Sequence, residues 1–174
     1  VCWGDVNNDG RLDLLSLSAP LGGPEAAPTA SPVAPRLYLN QGNGRLEAAD
    51  AGALSKKYYG GWWGGLADYD NDGNLDAFLA AAYSDSGHRT NLLFHGNGDG
   101  TFGLVTNNVI ARDKPSFSND AAWGDYDGDG LPDLLVSVHF AHDLFYHNDG
   151  HAQFTRVTTL RSAGAPFRWR ASPV

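Results

Sequence analysis

The chain lacks most of the motifs that mark an enzyme, a membrane protein or a nucleic-acid-binding protein. Cys2 is the only cysteine, which excludes an internal disulfide. No apolar run approaches the roughly 20 residues that a membrane-spanning helix requires. The chain also has no serine nucleophile elbow, HExxH zinc motif, phosphate-binding glycine loop or basic patch. We therefore expect a protein that is not an enzyme, binds no nucleic acid and has no membrane span in this segment.

Methionine is also absent, and acidic residues outnumber basic ones. The chain starts at Val1 in the middle of a motif, so we interpret it as a fragment of a longer protein, in which the lack of a leader carries no information. The net charge is −8, but eleven of the 20 acidic residues lie in three short loops. The acidity therefore indicates metal sites rather than a class of partner.

A nine-residue loop rich in aspartate occurs three times. Its copies are DVNNDGRLD at 5–13, DYDNDGNLD at 68–76 and DYDGDGLPD at 125–133, called loops 1, 2 and 3 below. Positions 1, 3, 5 and 9 carry aspartate or asparagine, and position 6 is always glycine. Carboxylates so close in sequence repel one another unless a cation lies among them. Ca²⁺ takes about six to eight oxygen ligands, and glycine allows a sharp turn around the ion.

Each loop is predicted to bind one Ca²⁺ through the side chains at positions 1, 3, 5 and 9 and the backbone carbonyl at position 7. The predicted ligands of the three sites are Asp5, Asn7, Asp9, Arg11, Asp13, Asp68, Asp70, Asp72, Asn74, Asp76, Asp125, Asp127, Asp129, Leu131 and Asp133. An EF-hand shares the opening pattern but needs a glutamate at position 12, where this chain has Ser16, Leu79 and Val136. The other alternative is three acidic surface turns without metal, against which the recurring ninth aspartate argues.

Strand patterns follow each loop. The loops run into short apolar stretches that predict buried strands, and then into a hairpin pattern at 37–46, 93–102 and 145–154. The loop starts are 63 and 57 residues apart. Four strands in about 60 residues are typical of a β-propeller blade. We predict an all-β chain with blades at about 1–57, 58–114 and 115–160, and with 161–174 leading to a next blade.

The stretches WGDVNNDGRLDLL, LADYDNDGNLDAF and WGDYDGDGLPDLL, each paired with a later NGDGTF-like turn, resemble the FG-GAP/VCBS repeat family. This family forms the calcium-binding blades of integrin α-like propellers, and the resemblance covers nearly the whole chain. It implies that the matching aspartates and asparagines are Ca²⁺ ligands. It also implies a seven-bladed parent, so the remaining blades are expected partners; closure by self-association is the alternative. Asn7 and Ala152 depart from the pattern.

A four-stranded meander predicts that the acidic loops and the tight turns lie at one end of each blade. The aromatic residues Tyr58, Tyr59 and Trp62 fall in a connection at the opposite end, where we predict that they contact a protein or glycan ligand. Packing between neighbouring blades is the alternative, and it applies most to Trp63, which directly precedes a strand.

Six histidines raise the question of a transition-metal site. The repeat aligns His147 with His95 and Leu39, which marks an ordinary strand position in every blade. It also places His139 and His142 at the opposite end of the blade from His151. On this alignment we expect no histidine metal site.

The sequence as a whole predicts a calcium-stabilised scaffold for protein binding or adhesion that is extracellular, on the cell surface or periplasmic. Sites built from short turns are expected to bind Ca²⁺ with dissociation constants of about 10⁻⁴ to 10⁻³ M, as in extracellular modules. Two alternatives stay open. One is a carbohydrate-binding module or lectin, and the other is an accessory domain of a secreted hydrolase or lyase.

Overall fold

The computed structural model describes residues 1–17, 34–56, 63–83, 89–113, 118–138 and 141–158. The predicted ligand-binding residues Tyr58, Tyr59 and Trp62 lie outside the described residues, as does His139.

Three four-stranded antiparallel sheets account for the described strands, and consecutive strands pair within each sheet. Sheet 1 contains β1 (Cys2–Gly4), β2 (Asp13–Ser16), β3 (Arg36–Asn40) and β4 (Leu46–Ala49). Sheet 2 contains β5 (Trp63–Ala67), β6 (Asp76–Tyr83), β7 (Arg89–Gly96) and β8 (Phe102–Val105). Sheet 3 contains β9 (Ser118–Gly124), β10 (Asp133–Val138), β11 (Leu144–Gly150) and β12 (Gln153–Val157). The predicted all-β class and the four-stranded unit are confirmed.

Two single-turn helices, α1 (Ala53–Lys56) and α2 (Val109–Arg112), follow the last strands of sheets 1 and 2. The side chain of Asn108 caps α2 by accepting a hydrogen bond from Ile110 N at 3.0 Å. Over the part of the chain that the structure describes, no helix has the length and apolar character needed to cross a membrane.

Sheet 2 lies between sheets 1 and 3, and a separate core fills each of the two spaces. Along β6, Ala77 and Leu79 belong to the core shared with sheet 1, whereas Phe78 and Ala80 belong to the core shared with sheet 3. Side chains alternate between the two faces of a strand. A sheet covered on both faces therefore needs the unbroken apolar run that the sequence has here.

The first strands of the three sheets lie side by side, and glycine makes this possible. A Cβ at Gly4 would lie 2.6 Å from Leu75 Cδ1, and a Cβ at Gly64 would lie 2.2 Å from Leu17 Cδ1. Cys2, half-buried on β1, donates from Sγ to Gly64 O at 2.9 Å. The sheets thus follow one another around their first strands, as blades would, although closure into a propeller stays a prediction.

The outer sheets each leave an apolar face uncovered by any residue that the structure describes. Trp123 of sheet 3 stacks on Tyr69 with ring centroids 6.3 Å apart. Trp3, at the same register position in sheet 1, is 57% exposed, and Leu46 on the same face is 40% exposed. At the other end of the stack, Tyr126 in loop 3 is 55% exposed, whereas its counterpart Tyr69 is buried. Trp3 and Tyr126, on the two outer faces, are therefore exposed at positions whose counterparts, Trp123 and Tyr69, pack between two sheets.

Candidate metal centres

All three predicted loops join the first strand of a sheet to the second and share one backbone shape. The sixth-position glycines have φ of +84° at Gly10, +90° at Gly73 and +87° at Gly130, a region that other residues rarely adopt. The fourth position is also left-handed, with φ of +57° at both Asn8 and Asn71. Asparagine tolerates this conformation better than most residues. The Asn/Asn/Gly pattern at position 4 was a signal that the sequence interpretation did not use.

The first-position aspartates hold the loop closed through backbone hydrogen bonds. Each Oδ2 accepts from the sixth-position glycine, at 2.8 Å for Asp5 and 2.9 Å for both Asp68 and Asp125. Each Oδ1 accepts from the fifth residue at 3.0–3.1 Å. The hydrogen bond from Gly130 is the main reason that the pKa of Asp125 is lowered. These carboxylates are therefore already oriented by the protein itself.

The fifth-position aspartates accept the N–H of position 7, at 3.0 Å from Arg11, 2.8 Å from Asn74 and 2.8 Å from Leu131. This hydrogen bond fixes the backbone at the residue whose carbonyl is the predicted fifth ligand. The fifth aspartate and the seventh residue thus form one rigid corner of each loop.

The ninth-position aspartates have a role that the sequence interpretation missed. Each is buried, and its Oδ2 accepts from the second loop residue at 3.0–3.1 Å. Its Oδ1 accepts at 2.8 Å from the third strand of the sheet, from Asn40, Gly96 or Asn148. Asp13, Asp76 and Asp133 therefore tie the loop to a strand about 15–27 residues away. A carboxylate has about four lone-pair positions, so each still has capacity for an ion.

Loops 2 and 3 bring their carboxylates within coordinating distance. Asp68, Asp70 and Asp72 offer oxygens that all lie within 4.8 Å of one another, and so do Asp125, Asp127 and Asp133. Within the described residues, two further groups that could hold a metal ion combine carboxylates of these two loops with His95 or His147. Asn7 replaces the third-position acid in loop 1, which leaves that loop with an amide oxygen in its place.

Loop 2 contains two aspartates whose charged forms are disfavoured by their surroundings and would be stabilised by a cation. Burial raises the pKa of Asp70, and the neighbouring Asp72 raises it further. Burial also raises the pKa of Asp76 to about 7, although hydrogen bonds from Gly96 and Tyr69 oppose the shift. Asp70 Oδ1 is buried and accepts no hydrogen bond from any residue that the structure describes. A buried oxygen without a donor is costly, so the donor set fits a bound Ca²⁺.

Two histidines lie against the loops. Both occupy the predicted strand position, on β7 and β11, but the sequence interpretation missed that their side chains contact the loop carboxylates. His95 Nδ1 on β7 lies 3.2 Å from Asp76 Oδ1 and 3.3 Å from Asp70 Oδ2. His147 Nδ1 on β11 lies 3.1 Å from Asp133 Oδ1. Each histidine directly precedes the residue whose N–H donates to the ninth-position aspartate. The sequence could have indicated this contact, because the two histidines share one position of the repeat. Among the described histidines, no two belong to one metal-compatible group.

Loop 1 differs from the others because it carries its own cation. Arg11 Nη2 lies 2.5 Å from Asp9 Oδ2, and Arg11 Nε donates to Asn40 O at 2.6 Å. Asn7 Nδ2 also donates to Asp9 Oδ2, at 3.0 Å. In the first repeat, Leu39 on β3 occupies the position that His95 and His147 have in the other two repeats. Loop 1 therefore has fewer carboxylates and an internal competitor for one of them.

The repeat also appears in comparisons with known proteins. The model of the FG-GAP-like repeat matches residues 5–79 and 68–136. These segments start at the first positions of loops 1 and 2, and together they contain all three loops and the strands from β2 to β9. No curated protein is significantly similar to the chain.

Proposed function

The chain belongs to the FG-GAP-like repeat family, and on that premise we propose that it is a calcium-binding part of an extracellular β-propeller. It serves as a scaffold for protein binding or adhesion and catalyses no reaction. The observation that carries the proposal is the threefold recurrence of one loop geometry around a set of oxygen donors, with Asp70 Oδ1 buried and lacking a donor among the described residues.

The chemistry of the donors favours Ca²⁺. Each loop offers side-chain oxygens at positions 1, 3, 5 and 9 and a backbone carbonyl at position 7, and Ca²⁺ takes oxygen ligands of both kinds. An ion in loop 2 would neutralise Asp70 and Asp76, whose charged forms are disfavoured by burial. This electrostatic demand argues against acidic turns without metal.

The bound ion would stabilise the sheets rather than act on a substrate. Asp76 already links loop 2 to β7 through Gly96, so an ion on the same carboxylate would hold the loop and the strand together. Ligand that binds only the native state adds about 2.7 kcal/mol of stability at a hundredfold excess over its dissociation constant. The same arrangement occurs once per sheet, which suits a structural role and is unusual for a catalytic one.

The location follows from the expected affinity. Loops built from short turns without flanking helices should bind Ca²⁺ with dissociation constants of about 10⁻⁴ to 10⁻³ M, and such sites fill outside the cell. We therefore place the protein at the cell surface, in the extracellular space or in the periplasm. Submicromolar affinity at all three loops would contradict this.

We propose that Tyr58, Tyr59 and Trp62, which the sequence pattern predicts to lie opposite the loops and which fall outside the described residues, form the partner surface. Trp63, the next residue after Trp62, packs against Phe78 with ring centroids 6.4 Å apart. This contact supports the interpretation of Trp63 as a core residue rather than a ligand-binding one. A protein ligand is the first proposal. A glycan array tests the lectin alternative, and the sequence of the full-length protein tests the alternative of an accessory domain of a secreted hydrolase or lyase.

Calorimetry of the folded chain tests the calcium proposal. We expect three Ca²⁺ per chain in the wild type and two in Asp72→Asn, which removes one carboxylate from loop 2. Glu47→Gln is the matched control, because Glu47 is exposed on β4, pairs with Arg45 and is not a predicted ligand of any loop. It should still bind three ions. No heat of binding, together with an unchanged melting temperature in excess chelator, would contradict the proposal.

A further inference from the structure

His95 and His147 occupy one repeat position, and each places a ring nitrogen among the carboxylates of a loop. His95 lies on β7 next to Gly96, whose N–H is bound by Asp76, so the strand that carries the imidazole is fixed to loop 2. His147 stands in the same relation to Asn148 and Asp133. The backbone at both histidine positions is therefore fixed to a loop, while the imidazoles are partly exposed, with side-chain exposures of 38% for His95 and 27% for His147.

The surroundings of His95 are not satisfied by a hydrogen bond alone. Its Nδ1 lies 3.2 Å from Asp76 Oδ1 and 3.3 Å from Asp70 Oδ2. A ring nitrogen carries either one hydrogen or one lone pair, so the two carboxylates can at best share one hydrogen. The other oxygen of Asp70 is buried and receives no hydrogen bond from the described part of the chain. A further positive group would satisfy all three side chains together.

The spacing of these atoms suits a small divalent ion. Zinc binds nitrogen and oxygen ligands at about 2.0–2.2 Å, which places neighbouring ligands about 2.8–3.6 Å apart in tetrahedral or octahedral geometry. Both distances from His95 Nδ1 fall in that range. The nitrogen decides the class of ion, because imidazole suits zinc and similar transition ions, whereas calcium takes oxygen.

Loop 3 has a comparable group in which Asp129, at position 5, stands in place of the ninth-position aspartate, and His147 Nδ1 lies 3.1 Å from Asp133 Oδ1. Asp127, Asp129 and His147 offer atoms that all lie within 4.8 Å of one another. His147 Nδ1 lies 3.6 Å from Asp127 Oδ2, and the ring of Tyr126 meets the imidazole edge-on with centroids 5.9 Å apart. Loop 1 provides an internal comparison, because Leu39 stands at the histidine position.

We propose that loops 2 and 3 are mixed nitrogen–oxygen sites for a divalent transition ion of the zinc class, with His95 and His147 as the nitrogen ligands. Asp70 and Asp76 complete the first site, and Asp127 and Asp129 complete the second. These carboxylates are shared with the proposed calcium sites, so the two kinds of ion compete for one loop. The inference goes beyond calcium binding, and the nitrogen donors are what distinguishes it from the calcium proposal.

Titration with Co²⁺ tests the proposal, because Co²⁺ replaces zinc and its visible absorption reports nitrogen and oxygen coordination. On calcium-free protein we expect two Co²⁺ per chain in the wild type and one in His95→Leu. Leucine is the residue that this chain itself has at the equivalent position, so the variant should fold. Even outer-shell partners of a metal contribute about tenfold to hundredfold in affinity. Loss of a direct ligand should therefore weaken Co²⁺ binding at that loop by at least tenfold.

The double variant His95→Leu/His147→Leu should lose both Co²⁺ sites while it keeps its Ca²⁺ stoichiometry and its circular dichroism spectrum. His95→Gln, which keeps a polar side chain, should behave like His95→Leu. The proposal is overturned if the double variant still binds Co²⁺ within twofold of the wild-type affinity, or if the wild type binds three Co²⁺. Failure of wild-type Ca²⁺ binding would refute the calcium proposal alone, because the cobalt measurement is made without calcium.

Discussion

Asp13 offers the sharpest test of the loop architecture, because its carboxylate joins loop 1 to β3. The change is Asp13→Asn, which keeps the size of the side chain. Asp13 Oδ2 accepts from Val6 N at 3.1 Å, and Oδ1 accepts from Asn40 N at 2.8 Å. Asparagine has a single oxygen, so in either orientation of its amide one of these two N–H groups would face another donor.

The expected loss of stability follows from burial. Asp13 is 1% exposed, so water does not replace the lost acceptor. A buried donor left unsatisfied costs about 1–3 kcal/mol, a large part of a total stability of about 5–15 kcal/mol. Because urea slopes are about 1–3 kcal/mol/M for small proteins, the midpoint of unfolding should fall by about 1 M. The measurement is urea unfolding in excess chelator, so that loss of a metal cannot explain the result.

Asp9→Asn is the matched control for Asp13→Asn. Asp9 belongs to the same loop, is another predicted ligand and loses the same charge, but it lies at the surface beside Arg11. Exposed ion pairs contribute about 0–1 kcal/mol, so the metal-free stability of Asp9→Asn should stay within about 0.5 kcal/mol of the wild type. Both variants should lose Ca²⁺ binding at loop 1. Equal unfolding midpoints for the two variants in chelator would refute the structural role of the ninth aspartate.

Three further predictions concern other parts of the chain. Arg11→Ala should strengthen Ca²⁺ binding at loop 1 several-fold by removing the cation on Asp9. By contrast, Arg45→Ala, which breaks an exposed pair with Glu47, should leave this binding unchanged in calorimetry. Burial raises the pKa of Asp76 to about 7, so the native metal-free protein holds a proton there that the unfolded chain releases above about pH 4. The stability from this proton is full below pH 4 and is lost as pH rises through 7, so Asp76→Asn should flatten the fall of the urea midpoint between about pH 4 and 7. Trp3 is exposed where Trp123 is packed, so Trp123→Ala should destabilise the fold by about 2–4 kcal/mol. By contrast, Trp3→Ala should barely change stability but should reduce self-association through the uncovered face in light scattering; a dispersed wild type at tens of micromolar would contradict this.

Much of the architecture was predictable because its signals are local. The glycine at position 6 marks a left-handed turn, and the alternation and length of the apolar runs mark the strands on either side. Repetition of the loop and of the hairpin pattern then gave the four-stranded unit, which the three sheets confirm. The family relationship rests on the same residues.

The roles of several site residues depend on contacts that local patterns do not reveal. Gly96 is 20 residues from Asp76 in sequence and becomes its partner only when β6 and β7 pair in one register. His95 reaches Asp70 for the same reason. The side chain of Arg11 had no assigned role, because its contact with Asn40 requires β3 to lie beside the loop.

The amino-acid sequence by itself determined the number of loops, their nine-residue shape and the all-β class, because backbone conformation and strand periodicity are encoded over a few neighbouring residues. Only the tertiary structure decided which oxygens are already used, which loops carry a nitrogen donor and which faces are covered. Those properties depend on strand register and on the packing of one sheet against the next. Asp76 is buried because β7 and the core between the sheets surround it, and no stretch of sequence around position 76 contains that information.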